Sequence, residues 1–106
     1  MMAQEVTVDE LEQAIAAGEY VIDVRESFEF EDGHVPQAKH IPLNSIPEKL
    51  AELPKDKKIW IICASGGRSM TAANFLEQQG LDCVSVAGGT GAWIGSGKTV
   101  SFDASI

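Results

Sequence analysis

The run Lys58-Ile59-Trp60-Ile61-Ile62-Cys63-Ala64-Ser65-Gly66-Gly67-Arg68-Ser69 passes, within twelve residues, from a β-rich apolar series through four small residues to the start of a helix. The Ile-Trp-Ile-Ile series reads as a strand buried on both faces, the habit of parallel sheets. Ala64 to Gly67 reads as a tight loop. Arg68 to Gln79 then predicts a helix with Ala72, Ala73, Phe75 and Leu76 turned inward and Gly80 as its stop.

The same alternation extends in both directions. Upstream, Thr7 to Glu10 has capping-box spacing, with Thr7 as N-cap and Glu10 reaching back. Val8, Leu11 and Ile15 fall on one helical face, and Gly18 ends it. Tyr20 to Val24 predicts a second buried strand. Residues 25 to 37 are acidic and contain Gly33 and Pro36, which predicts mostly loop with room for one helical turn. Ala38 to Ile41 predicts a short strand. Ser45 to Glu48 repeats the capping-box spacing ahead of an Ile46, Leu50, Leu53 stripe, which Pro54 ends. Downstream, Cys83 to Val86 predicts another strand. Gly88, Gly89 and Gly91 break the chain before a short segment around Trp93. Both tryptophans, Trp60 and Trp93, read as core. Strands alternating with helices predict an α/β fold, a parallel sheet covered on both faces, with ligands beyond the carboxyl ends of its strands. Cys63 stands at such an end.

The 106 residues suffice for one domain, with a core over about residues 5–100 and a tail over 101–106. Lys plus Arg number 8 against 16 Asp plus Glu, a net charge of −8, which argues against nucleic acid or anionic membrane as a partner. No stretch approaches the roughly 20 apolar residues of a membrane span. Met1 to Glu10 shows no signal-peptide pattern. Cys63 and Cys83 cannot build a disulfide framework, so a reduced, cytoplasmic setting is expected.

The loop behind Cys63 carries the chemistry. Gly66 and Gly67 permit positive φ and close backbone approach. Successive N–H groups can then converge on one anion, and the start of the following helix adds partial positive charge. Both effects favour the thiolate, the nucleophilic form of cysteine. A cysteine after an apolar strand is otherwise a small buried hydrophobe, but a core cysteine needs no Gly-Gly-Arg-Ser behind it. Arg68 has two readings: it faces the anion, or it pairs with Glu29 or another carboxylate and braces the loop. Bracing is the one preferred. Asp23, at the end of an apolar strand, needs partners if buried. With Arg25 it reads as a support beneath the loop.

The segment Cys63-Ala64-Ser65-Gly66-Gly67-Arg68-Ser69 resembles the active-site loop of the rhodanese-like sulfurtransferases. Ile22-Asp23-Val24-Arg25-Glu26 resembles that family's first signature. Glu29, Gly33-His34-Val35-Pro36, Ala38 and His40-Ile41-Pro42-Leu43 resemble the next, and Gly88-Gly89 with Trp93 the C-terminal one. The likeness spans about residues 5–100. It implies a five-stranded parallel sheet with helices on both faces. It implies Cys63 as catalytic nucleophile, Ala64, Ser65, Gly66, Gly67 and Arg68 as the substrate-binding loop, and Asp23, Arg25 and Ser69 as supports. Cys63 would take a sulfane sulfur from a donor such as thiosulfate or a persulfide, then pass it to a thiol or cyanide, in a double displacement. A sulfur-accepting protein belongs among the expected partners. No cofactor and no metal are implied. Four residues separate Cys63 from Arg68. That loop length goes with sulfur transfer in the resemblance, and the related dual-specificity phosphatases carry one residue more. Ala64 and Ser65 are uncharged where thiosulfate-preferring relatives often carry Arg or Lys, so weak thiosulfate binding and a persulfide or polysulfide donor are expected. Gln37 stands where the family usually has glycine, and Lys98-Thr99 where proline is common.

Other readings carry less. A rhodanese-like carrier or protein-binding module with little turnover is the alternative from a different class. Gly97-Lys98-Thr99 fits a relaxed phosphate-loop pattern, but too little chain follows for a nucleotide fold. A flexible Gly/Ser tail is expected there instead. Cys83 reads as a buried structural thiol rather than a resolving one. His34 and His40 read as turn and strand-edge residues, and zinc-type spacing is absent.

Overall fold

The structure is a computed structural model, and it describes residues 3–102. Five strands form one parallel sheet: β1 (Gln4–Val6), β2 (Tyr20–Asp23), β3 (Lys39–His40), β4 (Ile59–Ile62) and β5 (Cys83–Val86). Their order across the sheet is β1-β5-β4-β2-β3. After β2 the chain moves to one edge, and after β4 it moves the other way. The strand order therefore reverses between β2 and β4, where open α/β sheets place their ligands. Cys63 follows directly on β4 at that reversal.

Period-two alternation sorts the side chains into two cores. Ile59, Ile61 and Cys63 join Ile22, Val24 and Cys83 on one face, against Ala72, Ala73 and Leu76 of α4 (Gly67–Gln78) and Ile46 of α3 (Ile46–Lys49). Ile62, Val21, Val84 and Val86 face the other way, against Leu11 of α1 (Val8–Ala16) and Trp93 of α5 (Gly89–Gly95). Helices thus cover both faces. No helix among the described residues is long and apolar enough to cross a membrane.

The Thr7 capping box forms as its spacing predicts: the Thr7 N–H donates to the Glu10 carboxylate at 2.8 Å, and the Glu10 N–H to Thr7 Oγ1 at 3.1 Å. The second expected box does not form. Ser45 lies inside a 3₁₀ turn (Leu43–Ser45) begun behind Pro42, and its side chain caps nothing. The acidic stretch yields α2 (Ser27–Glu31), where Glu26 and Glu29 make the capping box instead. β1 supplies the fifth strand that the resemblance implies, in a stretch that no residue pattern marked as a strand. The glycines before Trp93 do not break the chain outright either, since Gly89 opens α5.

Trp60 departs from its expected core position. It is half-buried at the amino end of the sheet, where its Nε1–H donates to the Glu19 carboxylate at 3.2 Å. The expected loose tail is strapped down. The Lys98 ammonium lies 2.8 Å from Asp9 and 2.9 Å from Glu12, both on α1, and Trp93 Nε1–H donates to Thr99 O at 2.8 Å. Ser101 bridges His34. Residues 103–106 of the expected tail lie outside the described residues.

Candidate active site

Cys63 is buried, and its sulfur sits over the start of α4. Gly66 holds φ at 115°, the left-handed side that a Cβ makes costly, and this turn aims its N–H at Cys63 Sγ from 3.0 Å. Gly67 differs from its neighbour. It is an ordinary first helical residue with open space where a Cβ would lie, so the expectation that both glycines turn the loop is corrected to Gly66 alone. Ser69 Oγ lies 3.4 Å from Cys63 Sγ. Burial pushes the Cys63 thiol up, but the Ser69 hydroxyl and the N–H groups of Ser69, Gly66 and Ser65 outweigh it, and the net effect lowers the pKa. A charge on this sulfur is met by converging donors rather than by a general base.

The carbonyls of the loop are held on the opposite side. Cys63 O accepts from the Thr90 N–H at 2.8 Å and the Thr90 hydroxyl at 3.0 Å, and Ala64 O accepts from the Gly91 N–H at 3.0 Å. The first turn of α5 thus fixes which way the loop peptides point. Gly89 makes this approach possible: its φ is +57°, and a Cβ there would lie 2.5 Å from Cys63 O.

Arg68 pairs with Glu29 in a two-pronged ion pair, at 2.7 and 2.9 Å. Arg68 drives the Glu29 carboxyl down to about 2. Asp23 and Arg25 form a second bidentate pair, both buried, with Arg25 Nη2 also donating to Gly33 O at 2.9 Å. This pair braces the segment that carries Glu29, and it makes no hydrogen bond to residues 63–69. Nearby, Phe30 stacks on His34 and on His40 with centroids 3.6 and 4.5 Å apart. Among the described residues no three His, Cys, Asp or Glu side chains converge as a metal site would require.

Cys83 lies opposite Ile59, four positions back along the sheet from the level of Cys63, which separates the two residues by about 13 Å at strand spacing. Burial, with Glu77 and Asp82 adding to it, pushes its thiol up to about 12. Distance and a thiol pushed that high both speak against Cys83 as a reaction partner of the Cys63 sulfur.

The rhodanese-like domain profile matches residues 7–96. The chain belongs to the rhodanese-like family. YtwF of Bacillus subtilis, a proposed sulfurtransferase by name, is 45% identical over 100 residues, covering 92% of this chain and 97% of its own. A sulfurtransferase of Allochromatium vinosum is 37% identical over 102 residues, covering 93% and 95%. The crystal structure of a rhodanese-related protein from Thermoplasma volcanium superposes with a TM-score of 0.88 at 39% identity, over 94% of this chain and 99% of that one. Sulfur transfer is the activity that the names of the first two share. In this rhodanese-like chain the sequence reading missed Thr90 and Ser85. Thr90 follows the double glycine that marks the loop contact. Ser85 is a hydroxyl in an otherwise apolar strand, and that mismatch was the available signal.

Proposed function

We propose that this rhodanese-like protein is a sulfurtransferase whose catalytic residue is Cys63. The Cys63 thiolate attacks the outer sulfur of a donor. The donor's S–S bond breaks, its electron pair leaves with sulfite or a thiolate, and a Cys63 persulfide remains. A thiol or cyanide then attacks the outer sulfur, and the electron pair of the broken bond returns to Cys63 Sγ. The observation that carries this reading is the Cys63 sulfur held at 3.0 Å from the Gly66 N–H at the mouth of α4, which supports negative charge on that sulfur without a base. Ala64, Ser65 and Gly66 line the cradle, and Arg68 acts as its brace.

The donor in this reading is a persulfide of low charge rather than thiosulfate. Both arginines are already bound to carboxylates. Lys98 is tied to α1 and Lys49 to Glu52, while Lys39 and Lys58 lie over Tyr20 and Trp60. Lys55 and Lys57 precede β4, at the far end of the sheet. Among the eight basic side chains Arg68 is the one whose charge reaches Cys63, and its ion pair with Glu29 offsets that charge, which weakens the attraction for a dianion at the loop. A reducing, cytoplasmic setting belongs to the same reading, supported by two unpaired, buried thiols.

Intact mass spectrometry tests the proposal. Mixing with an alkyl persulfide should add one sulfur atom to the protein, and the gain should be reversed by cyanide and absent in Cys63→Ser. Thiosulfate should load more slowly, and its rate should rise with salt as repulsion from the net charge of −8 is screened. No gain from either donor would refute sulfur transfer and leave a binding module. Equal loading by both at low salt would refute the donor preference.

A further inference from the structure

Behind the candidate site, three polar groups line up away from water. Ser85 on β5 and Ser69 on α4 are both fully buried, with their hydroxyl oxygens 2.7 Å apart, and Ser69 Oγ is 3.4 Å from Cys63 Sγ. Ser85 faces α4 because it shares the alternation of Cys83, and its neighbours Val84 and Val86 point to the other core. A hydroxyl buried among apolar groups costs stability unless it is bonded. The partner Ser85 finds is Ser69.

Counting hydrogens gives that contact a direction. The Cys63 thiol donates to Ser69 Oγ; once that proton is lost, the Ser69 hydroxyl has one hydrogen and three acceptors in reach: Ser85 Oγ, the Cys63 thiolate and, at 3.1 Å, Gly66 O. If Ser69 donated to Ser85, the sulfur would lose it. If Ser85 donates to Ser69, the Ser69 hydrogen is left to choose between Gly66 O and the sulfur. Gly66 O already accepts the Met70 N–H at 3.2 Å, so releasing it leaves no orphan carbonyl.

We propose that Ser85 is a positioning residue for sulfur transfer: by donating to Ser69 it commits the Ser69 hydrogen to the Cys63 sulfur whenever that sulfur is charged. This rests on the Cys63 reading above. The sulfur is charged twice in that cycle. It is charged as the attacking thiolate, and again when the acceptor's sulfur bonds to the outer persulfide sulfur and the electron pair of the broken S–S bond returns to Sγ. Ser85 therefore acts on both half-reactions without touching donor or acceptor.

The test is a double-mutant cycle on the full chain. Thiolate absorbance near 240 nm, with Cys63→Ser subtracted, reports the Cys63 midpoint. Cys83 stays silent below pH 9 because its thiol is pushed up to about 12. Ser85→Ala should raise the midpoint by about half a pH unit, roughly a threefold loss of thiolate below it. It should also slow persulfide discharge to a thiol about threefold. Ser69→Ala should shift the midpoint further, and adding Ser85→Ala to it should change nothing more. Ser85→Cys, close in size and a weaker donor, is read against its own Cys63→Ser double variant so that the added thiol is subtracted; it should shift in the same direction and covers the case in which the alanine variant folds poorly. An unchanged midpoint in either Ser85 variant, or full additivity in the double variant, would overturn the role of Ser85. Loss of thermal stability with the midpoint intact would do the same, by showing a purely structural hydroxyl. Failure of Cys63 to load sulfur is read separately by mass, and it would sink the transferase reading while leaving the midpoint comparison standing.

Discussion

Replacing Gly89 by alanine probes the contact that aims the Cys63 loop. The new Cβ would lie 2.5 Å from Cys63 O and 2.7 Å from the carbonyl carbon and oxygen of Ala64, at a residue whose φ is +57°. The left-handed conformation alone costs a non-glycine residue about 1 kcal/mol. Ordinary carbon–oxygen contacts begin near about 3.3 Å, so α5 and the loop must separate by roughly 0.8 Å. The Thr90 and Gly91 N–H bonds to the loop, at 2.8 and 3.0 Å, then stretch past useful length. Each of the two bonds lost costs about 1–3 kcal/mol, so with the strain at φ the total loss is about 3–7 kcal/mol. For a domain of this size that lowers the melting temperature by roughly 15–30 °C. Thermal unfolding followed by circular dichroism measures the shift. Persulfide loading, measured well below the new midpoint, should fall at least about tenfold as the loop N–H groups lose their aim. Gly67→Ala is the control: open space surrounds that position, and alanine at the first residue of a helix should leave stability level or slightly raised. A Gly89→Ala protein that melts within about 3 °C of the parent and loads sulfur within about twofold would refute the reasoning.

Three further changes test the supports. Gln37, exposed with φ at 71°, sits in a conformation that favours glycine, so Gln37→Gly should stabilise the fold by about 0.5 kcal/mol in urea unfolding, the gain being trimmed by the looser unfolded chain. Asp23→Asn leaves the buried Arg25 without its carboxylate and should cost about 3 kcal/mol in the same assay, with no gain in activity toward any donor. Glu29, held near 2 against an ordinary 4.5, takes up its proton first in the unfolded chain. Stability should therefore decline as pH drops from about 4.5 toward 2, and Glu29→Gln should remove that slope, worth about 1 kcal/mol for a half-buried pair that solvent still screens.

The parts of the fold that were legible are those written in local pattern. The box at Thr7 and Glu10 depends on four adjacent residues, and the apolar runs of β2, β4 and β5 depend on their own composition. β1 has no such signal, because Gln4 and Glu5 are exposed and only Val6 turns inward. Its pairing with β5 is made across some eighty residues of chain. Ser45 shows the opposite failure: its spacing fits a cap, but Pro42 starts a turn three residues early and carries Ser45 into it. At the candidate site, the sequence singled out Cys63 and its loop because glycines and an arginine after a strand-end cysteine are costly without a purpose. It could not tell Gly66 from Gly67, since what separates them is a peptide turned toward the sulfur. Nor could it find Ser85, whose partner is sixteen residues away on α4.

The two outermost strands, β1 with three residues and β3 with two, give the sheet margins hardly longer than a single turn of chain. A neighbouring molecule arriving edge-on would find only two or three main-chain groups to hold, and a net charge of −8 pushing it back. The central strands carry the long apolar runs that polymerise when bare, and here they are fenced by stubs. The expected consequence is a protein that stays dispersed at high concentration while folded, and whose tendency to form fibrils tracks how often β2 and β4 come apart.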